Sequence, residues 1–182
     1  GFNEEKLNWI NKEHIKRLSQ KEQLDLVLKY ISSDFAKACG EEKMIRILPT
    51  IIDRISYGKQ VTEMETSGEI DFIIKQPQLD VTMLNWNGKQ DGAETAKHLT
   101  AVKEIVTEML DSDFITADSQ EKIKESIFAY ANTVTQRGAV LHPLRYCLTG
   151  LANSPDPFSV IYMLGREESF ARIQIALTTL AG

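Results

Sequence analysis

The sequence predicts an all-α fold, arranged as a helical array of two subdomains over residues 1–80 and 81–182. Apolar residues recur at intervals of three and four along most of the chain, which is the period of a helix. No stretch shows the sustained apolar–polar alternation of a half-buried strand. Residues 61–86, interrupted by Gly68 and Pro77, are the least regular part, and we place the subdomain boundary there.

The first elements are short amphipathic helices. The apolar spacing before residue 19 predicts two of them, with a break near Asn11, from Leu7, Ile10, Ile15 and Leu18. Ser19 and Glu22 have the spacing of a capping box, which opens the next helix. Its predicted buried face comprises Leu24, Val27, Leu28 and Ile31.

Glycine, proline and acidic caps mark the later boundaries. Gly40 ends one helix, and Pro49 either kinks the next or begins a new one in its first turn. Asp91 and Asp118 each precede a glutamate by three residues, which predicts a helix start at both. The predicted buried faces of the last three long helices contain Leu99, Val102, Ile105, Val106, Met109 and Leu110, then Ile123, Ile127, Ala131 and Val134, then Phe170, Ile173, Leu177 and Leu180.

The stretch from Gly138 to Phe158 predicts a short helix, a stiff turn and a second helix. Pro143 suits the first turn of a helix, where its missing N–H is no loss, and Gly150 suits its left-handed end. The segment 154–157 cannot continue that helix, because each proline disfavours helical backbone in the preceding residue. Arg145 is thereby placed beside a turn with free backbone groups, either as a solvated arginine or as a planar donor for a polar ligand.

Charge by itself does not indicate a nucleic-acid-binding protein. The chain of 182 residues has a formal net charge of −5, and the acidic excess is confined to the middle. Residues 1–62 have a net charge of +2, residues 63–125 of −8 and residues 126–182 of +1. Any contact with RNA is therefore expected to be local and directed at bases, with a modest phosphate contribution.

The usual catalytic motifs are missing from the sequence. It contains no phosphate-binding glycine loop, no G-x-S-x-G and no H-E-x-x-H. The three histidines, His14, His98 and His142, are isolated and predicted to be surface or capping residues. Cys39 and Cys147 match no metal-ligand spacing and are predicted to be buried thiols in a reducing, cytoplasmic setting. No apolar run is long enough for a membrane span.

Three C-terminal segments together resemble the closing signature of bacterial-type glutamyl-tRNA synthetases. They are Pro143-Leu-Arg-Tyr-Cys-Leu-Thr-Gly150, Ser154-Pro-Asp-Pro-Phe158 and Met163-Leu-Gly-Arg-Glu167. In that family a PLR-x-x-LTG helix, an sP-x-x-f turn and an LGkE step close the anticodon-binding domain. Near the other end, Glu5-Lys-Leu-Asn-Trp-Ile-Asn11 resembles the segment that follows the family's KMSKS-like loop.

The resemblance implies a function in transfer-RNA recognition. The chain would be the anticodon-binding region of a glutamate–tRNA ligase, with one subdomain contacting the anticodon stem and both contributing to anticodon binding. Its partners would be tRNA(Glu) and the catalytic half of the same polypeptide, which binds ATP and magnesium; the chain itself would have no catalytic residue, cofactor or metal. Trp9 would anchor the catalytic half, and Trp86 would be a core or hinge residue.

The resemblance also implies site residues. Arg145 matches the arginine of PLR and is the better supported base contact. Other matched positions belong to the same helix end and turn: Thr149, Ser154, Pro155, Pro157 and Phe158. In the family this turn packs against the anticodon bases, so its backbone groups would hydrogen-bond unpaired bases and the Phe158 ring would stack on them. Arg54 lies where discriminating members use an arginine to read cytosine 36, with Arg46 as the fallback. Tyr57 and Gly58 depart from the family's Thr-Leu at that place, and Asp156 and Pro157 depart from its usual turn residues.

Two alternatives remain open from the sequence. One is a non-discriminating ligase that also charges glutamine tRNA, which an arginine at position 54 argues against. The other is a helical protein-interaction module with no role in RNA binding. A tRNA affinity that falls with salt and is lost in Arg145→Ala separates the RNA-binding function from the second alternative.

Overall fold

The computed structural model describes residues 3–116 and 118–182, and within these ranges it is helical, with no strand. The chain forms two compact units, one ending at Ile74 and the other beginning at Lys75. The predicted boundary between residues 80 and 81 therefore lies inside the second unit. Among the residues described, no helix is long and apolar enough to cross a membrane.

The described residues of the first unit, from residue 3 onward, form five α-helices. They are α1 (Glu4–Arg17), α2 (Gln20–Tyr30), α3 (Ser33–Cys39), α4 (Glu41–Arg54) and α5 (Lys59–Thr66). The capping box predicted at Ser19 is confirmed, because the Ser19 hydroxyl accepts from Glu22 N–H and the Glu22 carboxylate accepts from Ser19 N–H. The core of this unit is the apolar face of α4, where Ile47 and Ile51 are fully buried.

The structure decides the predictions made for Asn11 and Pro49 in the first unit. α1 is continuous through Asn11, because an interior asparagine costs a helix only a few tenths of a kcal/mol more than average residues do. Of the four apolar residues of α1, only Ile15 is buried. Trp9 is 63% exposed and so is not a core residue of this unit, and its contact with the catalytic half stays a prediction. α4 passes through Pro49, which resolves that alternative in favour of one helix with an internal proline.

In the second unit, six α-helices lie in the part of the chain that the structure describes. They are α6 (Val81–Leu84), α7 (Gly92–Glu108), α8 (Ser119–Ala131), α9 (Gly138–Thr149), α10 (Pro157–Leu164) and α11 (Arg166–Ala181). α9 is the central element, since α6, α7, α10 and α11 all pack against it. Burial matches this position: Val140, Leu144 and Leu148 are fully buried.

The buried faces of α7 and α11 differ from the predicted ones. Leu110 lies beyond the end of α7 and is 67% exposed. On α11, Ile173 is buried as predicted, but Phe170 is 37% exposed. The other buried residues of α11 are Ser169, Arg172 and Ala176. A buried polar pair on this helix is invisible to an analysis that follows apolar spacing alone.

The prediction that His98 is a surface or capping residue is wrong, because His98 lies in the core. It is 4% exposed on α7, and its Nδ1 lies 2.8 Å from the Tyr130 hydroxyl. Its Nε2 lies 3.6 Å from the Glu94 carboxylate, outside hydrogen-bond distance. Burial raises the pKa of Tyr130, which keeps this phenol a neutral partner for the imidazole.

Candidate nucleic-acid interface

The helix that carries Arg145 is longer than predicted and contains a proline in its interior. α9 begins at Gly138, so Pro143 occupies its sixth position rather than its first turn. Pro143 has no N–H with which to bond the Ala139 carbonyl one turn earlier. The side-chain amide of Gln90 donates to that carbonyl instead, at 3.0 Å. An interior proline is therefore tolerated because a loop outside the helix replaces the missing donor.

Gly150 ends α9 as predicted, in the left-handed conformation. Its φ is 66°, and its N–H donates to the Tyr146 carbonyl at 2.7 Å. A Cβ atom at this position would lie 2.6 Å from the Cβ of Pro77, closer than real contacts allow. Glycine is thus required both by the backbone conformation and by the packing of residue 77 against the helix end.

Arg145 presents an uncommitted guanidinium. The side chain is half-buried on α9, and within residues 3–116 and 118–182 it makes no hydrogen bond, ion pair or ring contact. Its own carbonyl is engaged, because the Thr149 hydroxyl donates to it at 3.0 Å. A partly desolvated arginine with five free N–H donors is a strong site for a planar hydrogen-bonding ligand.

Thr149 supports this helix end rather than facing solvent. It is 3% exposed, and its hydroxyl both donates to the Arg145 carbonyl and accepts from Leu151 N–H at 3.2 Å. The two bonds tie the last turn of α9 to the chain that leaves it. The role that the structure gives Thr149 is to hold the backbone beneath Arg145.

The turn after α9 is shorter than predicted, because Pro157 is already the first residue of α10. Asp156 caps that helix: its carboxylate accepts from Ser159 N–H at 2.9 Å. Ser154 and Pro155 are half-buried, and the Ser154 hydroxyl donates to the Pro155 carbonyl at 3.1 Å. The acidic residue that departs from the family's turn is therefore a helix cap, a common role for aspartate.

Phe158 does not offer the exposed ring that stacking on bases requires. It is 7% exposed, and its ring packs against Phe128 with 5.2 Å between centroids. Pro157 is also buried. Phe158 therefore anchors α10 on α8. Of the predicted turn residues, Ser154 and Pro155 are the two that keep solvent-accessible atoms.

Arg54 lies in the first unit, at the end of α4, and is ion-paired with Glu69. The bond from Nη1 to Glu69 uses one of the five guanidinium donors, and the side chain is 37% exposed. Gly58, where the family has leucine, is the place where the Tyr30 ring packs, since a Cβ atom there would overlap that ring. The fallback residue, Arg46, is paired with Glu42 one turn away on α4.

Sequence reasoning missed two residues that hold α9 in place. Arg172 is 2% exposed, donates from Nη1 to the Leu148 carbonyl at 2.6 Å and from Nη2 to the Lys75 carbonyl at 3.2 Å, and pairs with Glu168. The other residue is Gln90, whose side-chain amide donates to the Ala139 carbonyl of α9. Arg172 carried a detectable signal, the i, i+4 spacing with Glu168, whereas Gln90 becomes meaningful only once Pro143 is known to be inside a helix.

The last predicted motif, Leu164-Gly-Arg166, is structural. Arg166 donates from Nη1 to the Met109 carbonyl at 2.5 Å, pairs with Asp111, and lies 5.9 Å from the Phe114 ring centroid. It therefore satisfies the C-terminal end of α7. Both cysteines are buried as predicted, and burial raises the pKa of Cys39 and Cys147, so neither is a reactive thiolate.

Comparison with known proteins agrees with this geometry. The family model described as "Anticodon binding domain" matches residues 11–177. Glutamate–tRNA ligase 1 of Mesorhizobium japonicum is 30% identical, over 94% of this chain and 36% of its own length. Glutamate–tRNA ligase of Lachnoclostridium phytofermentans is 25% identical over 99% of this chain and 34% of its own.

A solved structure shows the same fold. The glutamate tRNA ligase of Elizabethkingia meningosepticum, crystallised in complex with its amino acid, superposes with a TM-score of 0.69 at 26% identity, over 98% of this chain and 33% of that one. The chain thus spans about a third of the length of the relatives that it matches, and the matched part is the C-terminal third. The chain belongs to the anticodon-binding domain family of the glutamate–tRNA ligases.

Proposed function

We propose that this chain recognises the anticodon arm of tRNA(Glu) as the anticodon-binding part of a cytoplasmic glutamate–tRNA ligase. The named relatives support the ligase, since they are glutamate–tRNA ligases that the chain matches across nearly all of its length. In this proposal the ATP-dependent transfer of glutamate takes place in another part of the ligase. The residues described here select the tRNA and hold it.

The observation that carries the proposal is the free guanidinium of Arg145. A fork of N–H donors can bond the oxygen and ring nitrogen on the pairing edge of an unpaired cytosine, whereas the pairing edges of uracil and guanine oppose it with an N–H group at the ring nitrogen. The guanidinium is half-buried, which strengthens each such bond relative to one in water. Gly150, Thr149 and Arg172 fix the helix end beneath it.

Among the residues described, no group of three or more His, Cys, Asp or Glu side chains is placed to hold an ion. We assign ATP and magnesium to the rest of the ligase, where ATP supplies the activation of glutamate. The residues described here would contribute binding and orientation.

Arg145 can be tested with a matched control on the same helical unit. Arg137 has the same charge but lies exposed over the Phe128 ring, 5.2 Å from its centroid. We expect Arg145→Ala to lower the affinity for the tRNA(Glu) anticodon arm by about 1–3 kcal/mol, as for a lost bidentate base contact, and Arg137→Ala to have a smaller effect. Fluorescence anisotropy with a labelled arm measures both.

A salt titration sharpens the same test. A base contact contributes no counterion release, so Arg145→Ala should leave the slope of log K against log salt unchanged. A slope reduced by about one would make Arg145 a phosphate contact. Affinity that does not respond to either variant or to salt would contradict the RNA-binding function and favour a protein-interaction module.

For base 36 we propose Arg54 as the reader, oriented by Glu69. The pair leaves four N–H donors free and restricts the guanidinium, which suits a group that must discriminate cytosine from uracil. Arg54→Gln in the full-length ligase should relax the preference for glutamate over glutamine tRNA, and Glu69→Gln should relax it less. An unchanged preference in Arg54→Gln would leave the discrimination to another residue.

A further inference from the structure

The second unit contains a cavity that none of the predicted site residues lines. It has a volume of about 360 Å³, at the small end of the range in which proteins bind small ligands. The lining includes an indole ring and several polar side chains: Trp86, Lys89, Gln90, Glu94, Thr135 and Gln136. The size and lining of this cavity suit a ligand that is a single planar heterocycle.

Trp86 is a fixed wall of this cavity. A Cβ atom on Gly138 would lie 2.6 Å from Cε2 of the indole and 2.7 Å from its Nε1, so the ring is seated directly on the Gly138 backbone. The loop on either side of the ring is anchored as well, since the Thr95 hydroxyl donates to Asn85 at 2.8 Å and Gln90 donates to Ala139. A ring held in this way is pre-organised for stacking, which lowers the entropic cost of binding.

The polar groups around the ring are available. In the part of the chain that the structure describes, the side chains of Lys89, Thr135 and Gln136 have no hydrogen-bond or ionic partner. The Glu94 carboxylate is about half exposed, with His98 3.6 Å away. A carboxylate and an amide can accept from the amino group of a base, and a lysine can meet the phosphate of its nucleotide.

The cavity also lies along the helix that carries Arg145. Ala139 lines it and lies six positions before Arg145 on α9, a rise of about 9 Å and a rotation of about 120° around the helix axis. An RNA loop that meets Arg145 is therefore within reach of the cavity. This continuity, together with the aromatic wall and the lysine, favours RNA over a peptide.

We propose that this cavity binds one unpaired nucleobase of the RNA, stacked on Trp86, with Glu94 and Gln136 accepting from an exocyclic amino group and Lys89 near the phosphate. The proposal rests on the function proposed above and adds a second base site on α9. Adenine, cytosine and guanine carry the required amino group, whereas uracil does not.

Fluorescence tests this site without altering it. The chain contains two tryptophans, so Trp9→Phe leaves Trp86 as the sole indole, and Trp86→Phe leaves Trp9 as the matched control. Each variant is titrated with the labelled tRNA(Glu) anticodon arm, while anisotropy reports RNA binding and indole emission reports the cavity. We expect the RNA to quench the emission of Trp86 but not that of Trp9. The quenching of Trp86 should disappear when one particular loop nucleotide of the arm is made abasic.

The outcomes separate the two proposals. RNA binding without a change in Trp86 emission, or with equal quenching of both tryptophans, overturns the base site and leaves anticodon binding intact. Quenching that persists with every abasic arm also overturns it. No RNA binding by the 182-residue chain overturns both. As an independent readout, Trp86→Ala should weaken the arm's affinity about 5- to 150-fold, the usual loss for one stacked base, with an intact helical circular dichroism spectrum.

Discussion

Replacing Gln90 with methionine should destabilise the second unit, mainly because the Ala139 carbonyl loses its hydrogen-bond donor. The amide of Gln90 donates to the Ala139 carbonyl and to the Thr95 hydroxyl, each at 3.0 Å. Ala139 is 5% exposed, and Pro143 has no N–H to replace the lost donor. The bond to Thr95 contributes about 1 kcal/mol, and an unsatisfied buried carbonyl costs about 1–3 kcal/mol. The expected loss is therefore about 2–4 kcal/mol.

A double-mutant cycle isolates the part of this stability loss that depends on Pro143. In Pro143→Ala, residue 143 regains an N–H that can bond Ala139 within the helix. Gln90→Met should therefore cost less in that background, by about 1–3 kcal/mol, because only the bond to Thr95 is then lost. Urea unfolding followed through Trp86 emission, with Trp9→Phe in every variant, reports the second unit by itself.

Two results would refute this reasoning. One is a cost of Gln90→Met that is equal in both backgrounds, which would mean that Gln90 does not compensate for the proline. The other is a cost below about 0.5 kcal/mol, within the range of ordinary surface substitutions. Either result would leave the interior proline of α9 without a physical explanation.

Three further predictions follow from the same unit. Gly138→Ala should displace the indole of Trp86, shift its emission to the red and cost about 1–3 kcal/mol in urea unfolding, whereas Gly92→Ala, with its nearest neighbour atom 3.9 Å away, should be neutral or stabilising. Arg172→Met should cost about 3 kcal/mol, since it leaves buried carbonyls and Glu168 without their donor; a loss below 1 kcal/mol would contradict that role. Burial raises the pKa of Cys147, so the folded protein holds the thiol proton more tightly than the unfolded chain does. The stabilisation that this thiol contributes is therefore fully present below its unfolded pKa, about 8.5, and is lost as the pH rises above that value. Cys147→Ala should reduce this alkaline decline in the urea midpoint.

Much of the backbone could be predicted from local signals. The Ser19 capping box, the helix start at Asp91 and the left-handed end at Gly150 are confirmed, because each depends on a hydrogen bond or a φ value within a few residues. The all-α class is confirmed for the same reason, since helical period dominates the sequence. The predicted break at Asn11 is wrong, because the small helix-propensity cost of one asparagine is outweighed by the helix around it.

Tertiary contacts account for what could not be predicted. Apolar spacing placed Phe170 in the core, but the neighbouring turn of α11 buries Arg172 for its hydrogen bonds to two carbonyls. Pro143 was assigned to a first turn, since the Gln90 amide that permits it in the interior lies 53 positions earlier in the sequence. His98 was assigned to the surface because its partner, Tyr130, is on another helix.

The candidate site was predicted in part. Arg145 was identified by resemblance, and the structure adds that its guanidinium is half-buried and uncommitted among the residues described. The same resemblance placed Phe158 as a stacking surface, whereas its ring packs on Phe128. A motif transfers the position of a residue, but the direction of its side chain depends on its packing partners, here Phe128 on α8.

Anticodon dependence of binding tests the central claim most directly. Affinities of the wild-type chain and of Arg145→Ala are measured for the tRNA(Glu) anticodon arm and for arms in which each of the three anticodon bases is replaced in turn. We predict that the wild type loses about 1–3 kcal/mol on at least one replacement, and that Arg145→Ala no longer distinguishes that arm from the parent. Equal affinity of the wild type for all four arms would contradict anticodon recognition by this chain.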